Sequence, residues 1–230
     1  MAATGIEYHV QVNPTIYQQY ASTLSFFLGQ RWMPQGYAWI FPVPPNTLKI
    51  GVIRYFLHEH IVPHDPSIRH YLDKMMGQCF GSSKYSIIDK HGKTLFYTYG
   101  QKDRLFNHNV IAIGDSISTL NPLASEGIRH AMASADIASK HIVAYLEKGV
   151  PFDGYKKDLK NYFGLKWSLS EYIMNRLYRE ANDYKLDLAL EAFRKLSVNE
   201  LLALGFDYKF SKASKFLFNY ALLRALDKIR

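Results

Sequence analysis

Residues 110–139 read VIAIGDSISTLNPLASEGIRHAMASADIAS, and the reading of the whole chain turns on them. Val110–Ile113 is short, apolar and β-branched, the composition of a buried strand. Gly114 permits a sharp turn, and Asp115 then stands at the strand's end, where side chains often meet ligands. Asn121-Pro122 stiffens the following loop. Ser125 is the predicted N-cap of a helix, with Glu126 in its first turn. Ile128, Ala131, Met132, Ala135, Ala138, Ile142 and Leu146 then recur at helical spacing until Gly149 and Pro151 end the helix. The small residues Ala131, Ala133, Ser134 and Ala135 would let it pack tightly against a sheet. Gly127 would let a ligand approach the backbone closely. The N–H groups and dipole at the helix start favour a phosphate or a partly negative ring edge. Asp115 can accept hydrogen bonds from ribose or ribityl hydroxyls. A structural turn with a capped helix has the same pattern, and the residues alone leave both readings open.

Upstream of this stretch the pattern is that of strands. Glu7–Val12 and Thr23–Leu28 are short candidates. GYAWIFP (Gly36–Pro42) alternates between Gly and Pro, TLKIGVIRYF (Thr47–Phe56) follows, and VPPN between them signals a hairpin turn. Pro66–Met76 is a predicted helix, capped by Asp65 and stopped by Gly77. Tyr85–Asp89 and Thr94–Tyr99 read as two strands around HGK. Downstream, Tyr155–Lys195 and Asn199–Arg230 read as amphipathic helices broken near Leu196–Val198 and Gly205. The fold class is α+β. Residues 1–108 form an antiparallel, β-rich region, 109–150 a strand-turn-helix, and 151–230 a helical region.

The 230 residues are 48% hydrophobic and 21% charged, which is ordinary for a globular chain. A single cysteine, Cys79, excludes a disulfide framework and a Cys-rich zinc site, and is read as packing. The N-terminus lacks the basic and apolar regions of a secretory signal, and no apolar run is long enough to span a membrane, so the expected location is cytoplasmic. The net charge of +8 permits anionic partners, yet no basic block or motif selects nucleic acid. KFSKASKFLF and LRALDKIR alternate basic with apolar residues. They fit either an anionic membrane surface or a helix packed on its own domain.

Two other constellations were weighed. Gly114-Asp115-Ser116 after an apolar strand suggests a GDS-type hydrolase with Ser116 as nucleophile. It would need a downstream Asp-x-x-His, and neither His130 nor His141 follows an Asp at that spacing. His58-Glu59-His60 with His64-Asp65 has metal-like density, but no further ligand set accompanies it and no metal is assigned.

GDSISTLNPLASEGIRHAMASADIAS resembles the second FAD-binding motif of the aromatic-hydroxylase-like flavoproteins. It is most similar to the geranylgeranyl reductase branch, where the stretch reads GDAAG…NPLTGEGI..AM.S…A. Gly114, Asp115, Asn121, Pro122, Leu123, Glu126, Gly127, Ile128, Ala131 and Met132 match. Ser125 stands where that family has Gly, and Ser116-Ile117 where it has two alanines. GYAWIFP resembles its Y-x-W-x-F-P strand, and Ile50-Gly51-Val52 the glycine-bearing strand that follows.

The resemblance implies FAD as cofactor. Gly114, Asp115 and Pro122 would shape the site, with Asp115 on the ribityl or pyrophosphate part. The backbone of Glu126, Gly127 and Ile128 would meet the flavin's pyrimidine edge. Tyr37, Trp39 and Phe41 would line a pocket for an isoprenoid or prenyl lipid, although by composition alone they also fit core packing. The implied chemistry is reduction of an isoprenoid double bond by hydride from reduced flavin; no residue identifies itself as the catalytic acid. These flavoproteins begin with a Rossmann unit carrying G-x-G-x-x-G, and this sequence contains no such fingerprint. The chain therefore resembles the C-terminal portion of such an enzyme. Either it is a fragment, or a partner chain would supply the Rossmann half, or the domain is a non-catalytic, truncated relative that serves as an interaction surface.

Overall fold

The computed structural model describes residues 1–56, 66–123 and 125–227. The chain divides into two compact units, Met1–Leu95 with Tyr178–Leu186 and Phe96–Leu177 with Asp187–Arg230.

The first unit is built on a five-stranded sheet, in order β2-β3-β4-β1-β5. Its strands are β1 (Ala2–Gln11), β2 (Ser25–Leu28), β3 (Gly36–Val43), β4 (Thr47–Phe56) and β5 (Ser86–Phe96). The predicted hairpin is present, with Val43 opposite Thr47 and Gly36 opposite Arg54. The β1–β4, β2–β3 and β3–β4 pairs are antiparallel. Side-chain period two splits the sheet into two faces. Tyr8, Val10, Ala38, Ile40, Leu48, Ile50 and Val52 face a core formed with helices α1 (Pro14–Tyr20) and α2 (Ile68–Phe80). Glu7, His9, Tyr37, Trp39, Phe41 and Gly51 alternate with these and take the other face.

Several sequence expectations change here. Asn13 caps α1, accepting from the Ile16 N–H at 2.9 Å with Pro14 in the first turn, a helix the strand pattern hid. Ser67 caps α2, accepting from the His70 N–H, while Asp65 lies outside the described residues. Gly77 does not stop α2, which runs on to Phe80. The buried face of Tyr71, Leu72, Met75, Met76 and Phe80 outweighs the cost of about 1 kcal/mol for one helical glycine. The HGK segment is not a turn, because β5 runs through it. A Cβ at Gly92 would lie 2.9 Å from the Gly5 carbonyl oxygen, so this glycine permits close strand approach. Cys79 is half-buried, and burial pushes its thiol pKa up.

The second unit is mainly helical. It contains the short pair β6 (Phe106–Asn107) and β7 (Val110–Ile111), then α3 (Ile128–Lys148) and α4 (Asp153–Asn175). A π-helical turn, Arg176–Glu180, leads towards α5 (Asp183–Arg194). The start of α5 belongs to the first unit. Helices α6 (Val198–Gly205) and α7 (Ser214–Asp227) follow. The predicted breaks before Val198 and at Gly205 are present. A further break at Asn182 was not foreseen; its side chain accepts from the Lys185 N–H at 3.0 Å and starts a new helix. Helix α3 packs on α4 rather than on a sheet, through His130, Ser134 and Ala138, which share one buried face.

The tightest constraint in the sheet is at Gly51, which lies between Trp39 on β3 and Glu7 on β1. The Trp39 indole lies across it and donates to Glu7 Oε2 at 2.8 Å. A Cβ at Gly51 would come within 2.1 Å of the indole ring. Gly51→Ala is therefore expected to expel the indole and lower unfolding stability by about 1–3 kcal/mol, read by urea denaturation. The tryptophan emission should shift to the red. An unchanged midpoint and spectrum would refute this packing.

Candidate functional site

The loop between Gly114 and Ile128 is held by hydrogen bonds that its sequence makes local. Gly114 has φ 64°, and its N–H donates to Ser134 Oγ at 2.9 Å. A Cβ there would sit 3.2 Å from that of Ala131, so the turn lies close on α3. Residues Gly114–Ile117 form one 3-10 turn, closed by Ser118 in the left-handed region. Asn121 is fully buried. Its Nδ2 donates to Ser170 Oγ at 3.0 Å, its Oδ1 accepts from the Leu123 N–H at 3.0 Å, and its own N–H donates to the Glu126 carbonyl at 2.9 Å. Pro122 beside it is buried. A single asparagine thus closes the second half of the loop, from Asn121 to Glu126, while Ser134 holds its Gly114 end.

This scaffold brings Asp115 to Gly127. The Asp115 carboxylate is exposed, and a Cβ on Gly127 would be only 3.4 Å from its Oδ1. Gly127 is the N-cap of α3, with no side-chain capping bond, so Ser125 is not the cap. Ser125 instead takes φ 53° as the loop turns back, and its N–H donates to the Asn121 carbonyl at 2.8 Å. The start of α3 is left with N–H groups that have no intrahelical acceptor. A shallow depression covers this end of the helix, lined by Ser125, Glu126, Gly127, Ile128, Arg129 and Met132. Ile128 and Met132, one turn apart, are 82% and 69% exposed.

The Glu126 side chain is already engaged. Arg129 binds it through Nε and Nη2 at 2.7 and 2.8 Å, and the Tyr208 hydroxyl donates at 2.7 Å. Arg129 also donates to the Phe206 carbonyl. His130 Nε2 is 3.3 Å from the same carboxylate, near enough for attraction but outside hydrogen-bond alignment. Partial burial works to raise the Glu126 pKa, but the bonds from Arg129 and Tyr208 outweigh it and bring it down to about 2. Burial against Trp167 and Phe163 lowers the His130 pKa and so favours the neutral ring, while Glu126 opposes this by favouring the charged one. Only the backbone of Glu126 remains available to a ligand.

Val110–Ile113 is not the buried strand its composition implied. Val110 is 64% and Ile113 44% exposed, and β7 pairs only with β6. An apolar run shows that a surface needs covering, not which element of the chain covers it. The hydrolase reading finds no support: Ser116 Oγ donates to the Ile113 carbonyl at 2.7 Å, and His141 pairs with Asp158. The cluster His58, Glu59, His60, His64 and Asp65 lies outside the described residues. In the first unit, Tyr37, Trp39 and Phe41 line up on one face of β3 and are half-buried. Phe26 joins them, with ring centroids 6.1 Å from Tyr37 and 5.2 Å from Phe41.

Residues 5–94 match the family described as the geranylgeranyl reductase catalytic domain. Over these residues the chain is similar to geranylgeranyl reductases. It is 24% identical over 192 residues to digeranylgeranylglycerophospholipid reductase 3 of Methanosphaera stadtmanae, covering 79% of this chain and 46% of that protein. It is 30% identical over 145 residues to the digeranylgeranylglycerophospholipid reductase of Haloferax volcanii, covering 60% and 35%. The chain spans about half the length of the first of these and a third of the second. Among solved structures, a geranylgeranyl bacteriochlorophyll reductase-like protein from Thermoplasma acidophilum superimposes with a TM-score of 0.72 at 18% identity, over 94% of this chain and 55% of that one. The p-nitrophenol 4-monooxygenase PnpA of Pseudomonas putida gives 0.56 at 12% identity, over 94% and 53%. These likenesses show the fold. The aromatic strand and Gly51 fall inside the family match, and the loop at Gly114–Ile128 falls outside it.

The clamp on Glu126 has a pH signature. A carboxylate with a depressed folded pKa contributes stability that is present above its unfolded value, about 4.3. That contribution disappears as pH falls towards 2. Glu126→Gln should cost about 1–2 kcal/mol at pH 7, a figure discounted for the half-exposed Arg129. The cost should shrink below pH 4, followed by urea unfolding across the range. A cost that does not change with pH would show that the clamp is not ionic.

Proposed function

We propose that this chain supplies the substrate face and one side of the flavin site of an FAD-dependent reductase acting on isoprenoid double bonds. The observation that carries this reading is the fixed loop that sets the exposed Asp115 carboxylate beside Gly127 at the open start of α3. The residues fit FAD: the depression at the start of α3 offers a glycine backbone and helix N–H groups without intrahelical acceptors, with the Asp115 carboxylate close beside Gly127. Asp115 would accept from ribityl hydroxyls or order the pyrophosphate side, and the Gly127–Ile128 backbone would meet the polar edge of the ring. Reduced flavin, when bound, would supply a hydride to one carbon of the double bond, and the other carbon would take a proton from the site. Tyr37, Trp39 and Phe41 offer the flat apolar surface that an isoprenoid tail requires and exclude water from it.

On this reading a dinucleotide half, on the same polypeptide or on a partner chain, would complete the site. The exposed Val110, Ile113, Ile128 and Met132 are surface that such a half or the cofactor would cover. The test is a visible-absorption and fluorescence titration of the chain with FAD, alone and with the dinucleotide half of a long relative. Saturable binding with about a tenfold weaker Kd in Asp115→Ala is expected, the scale of one charged hydrogen bond. Unchanged affinity in that variant would remove Asp115 from the site.

A lipid substrate also has to reach the protein. No helix of the described residues is long and apolar enough to cross a membrane. On α7, Leu217, Phe218 and Leu222 are 59%, 68% and 42% exposed, among the exposed Lys212 and Lys215. We propose that this face rests on anionic membrane. Co-sedimentation with phosphatidylserine-containing vesicles should fall several-fold in Leu217→Ser/Phe218→Ser and weaken with salt. Equal binding by the variant would overturn this contact.

A further inference from the structure

On the aromatic face of the sheet, one cluster is used by nothing described so far. Glu7 and His9 alternate on β1 and point to the same side. His91 reaches them from β5. Contacts of Thr4 with Thr94, Glu7 with His91 and Tyr8 with Lys90 show that the two strands run in opposite directions, which brings these residues together from opposite ends of the first unit's sequence. Glu7 Oε1 lies 3.3 Å from His9 Nε2 and 3.2 Å from His91 Nε2. All three donor atoms lie within 4.8 Å of one another.

We propose that Glu7, His9 and His91 bind a divalent transition metal ion of the Zn²⁺ class. A tetrahedral ion with bonds of about 2.0–2.1 Å holds its donors about 3.3 Å apart. Two edges of the triangle already have that length, and rotation of His91, whose side chain is 54% exposed, closes the third. The surroundings are those of a ligand set. His91 Nδ1 faces Asp89 Oδ2 at 3.4 Å, which leaves Nε2 as the metal-binding nitrogen. The second oxygen of Glu7 is fixed by the Trp39 indole N–H at 2.8 Å, so Oε1 is aimed. Two imidazoles and a carboxylate suit zinc and leave a fourth position for an oxygen. The Lys49 ammonium lies 3.8 Å from Oε1. It is partly exposed on a flexible stem and is displaced on binding, while Asp89 offsets the metal's charge. The ion would add a side-chain tie between the exposed edge strand β5 and its neighbour β1.

The experiment uses the chelator-stripped full chain titrated with Zn²⁺ by calorimetry and followed by thermal unfolding. One ion per chain at micromolar affinity or better and a raised Tm are expected, with Co²⁺ giving the intense visible bands of tetrahedral coordination. His9→Ala and His91→Ala should each weaken binding at least tenfold, and Asp89→Asn about tenfold. Far-UV circular dichroism confirms that each variant is folded. Absence of stoichiometric binding would overturn the site, as would binding that persists at full affinity in His9→Ala/His91→Ala, which would place the ion elsewhere. Neither readout uses flavin or activity, so the site stands or falls apart from the reductase reading.

Discussion

The first unit depends on an absent side chain. With only hydrogen at Gly51, the Trp39 indole crosses β4 and hydrogen-bonds Glu7 two strands away. That single crossing ties together β3, β4 and β1, because Trp39, Gly51 and Glu7 occupy consecutive rungs of one row. It also sets the character of the face. The indole presents its apolar surface on one side and fixes a carboxylate on the other. Aromatic side chains with a polar end are suited to such boundaries. The opposite face holds the core against α1 and α2, so the aromatic row is released from packing duty there and can remain half-buried.

The second unit solves a different problem, which is how to hold a loop open. Asn121 is buried with its amide and backbone bonded to Ser170, Leu123 and Glu126. The Glu126 carboxylate is tied to Arg129 in the first turn of α3 and to Tyr208 far along the chain. A charged group bonded in this way is costly to disturb. The conformational entropy of the loop has therefore been lost in folding, so a ligand would not have to order it. The exposed members, Asp115, Gly127 and Ile128, stand on a rigid support.

What was legible in the sequence followed the range of the interactions concerned. The hairpin from Gly36 to Phe56 was readable because alternation and the Pro-Pro turn are local. So was the run of α3, from its helical periodicity. The failures came where a local signal had a distant cause. Gly92 looked like a turn and serves close packing against Gly5 on another strand. Ser125 looked like a cap, but the buried Asn121 bends the chain back there. The motif residues Asp115 and Gly127 do lie close together, twelve positions apart in the chain. The partner that occupies the Glu126 side chain, Tyr208, lies 82 residues away. The approach of His91 to His9 has no local signature either, apart from the Glu-x-His and Asp-x-His spacings that put each pair on one strand face.

These two modes of construction bear on how such a reductase would divide its work. Reduction of an isolated double bond demands little recognition of the tail, which has no polar groups to read, and a flat aromatic row can hold chains of varied length through area alone. Recognition of a cofactor demands fixed polar groups, and the loop braced by Asn121 and Glu126 would offer them under the function proposed. Substitutions along Tyr37–Phe41 should then alter tolerance for chain shape gradually, because apolar contact scales with area. Substitutions at Gly114, Asn121 or Gly127 act on a backbone with one acceptable conformation, where a single methyl group already meets Ala131 or the Asp115 carboxylate. Tolerance belongs to the strand, and stringency belongs to the loop.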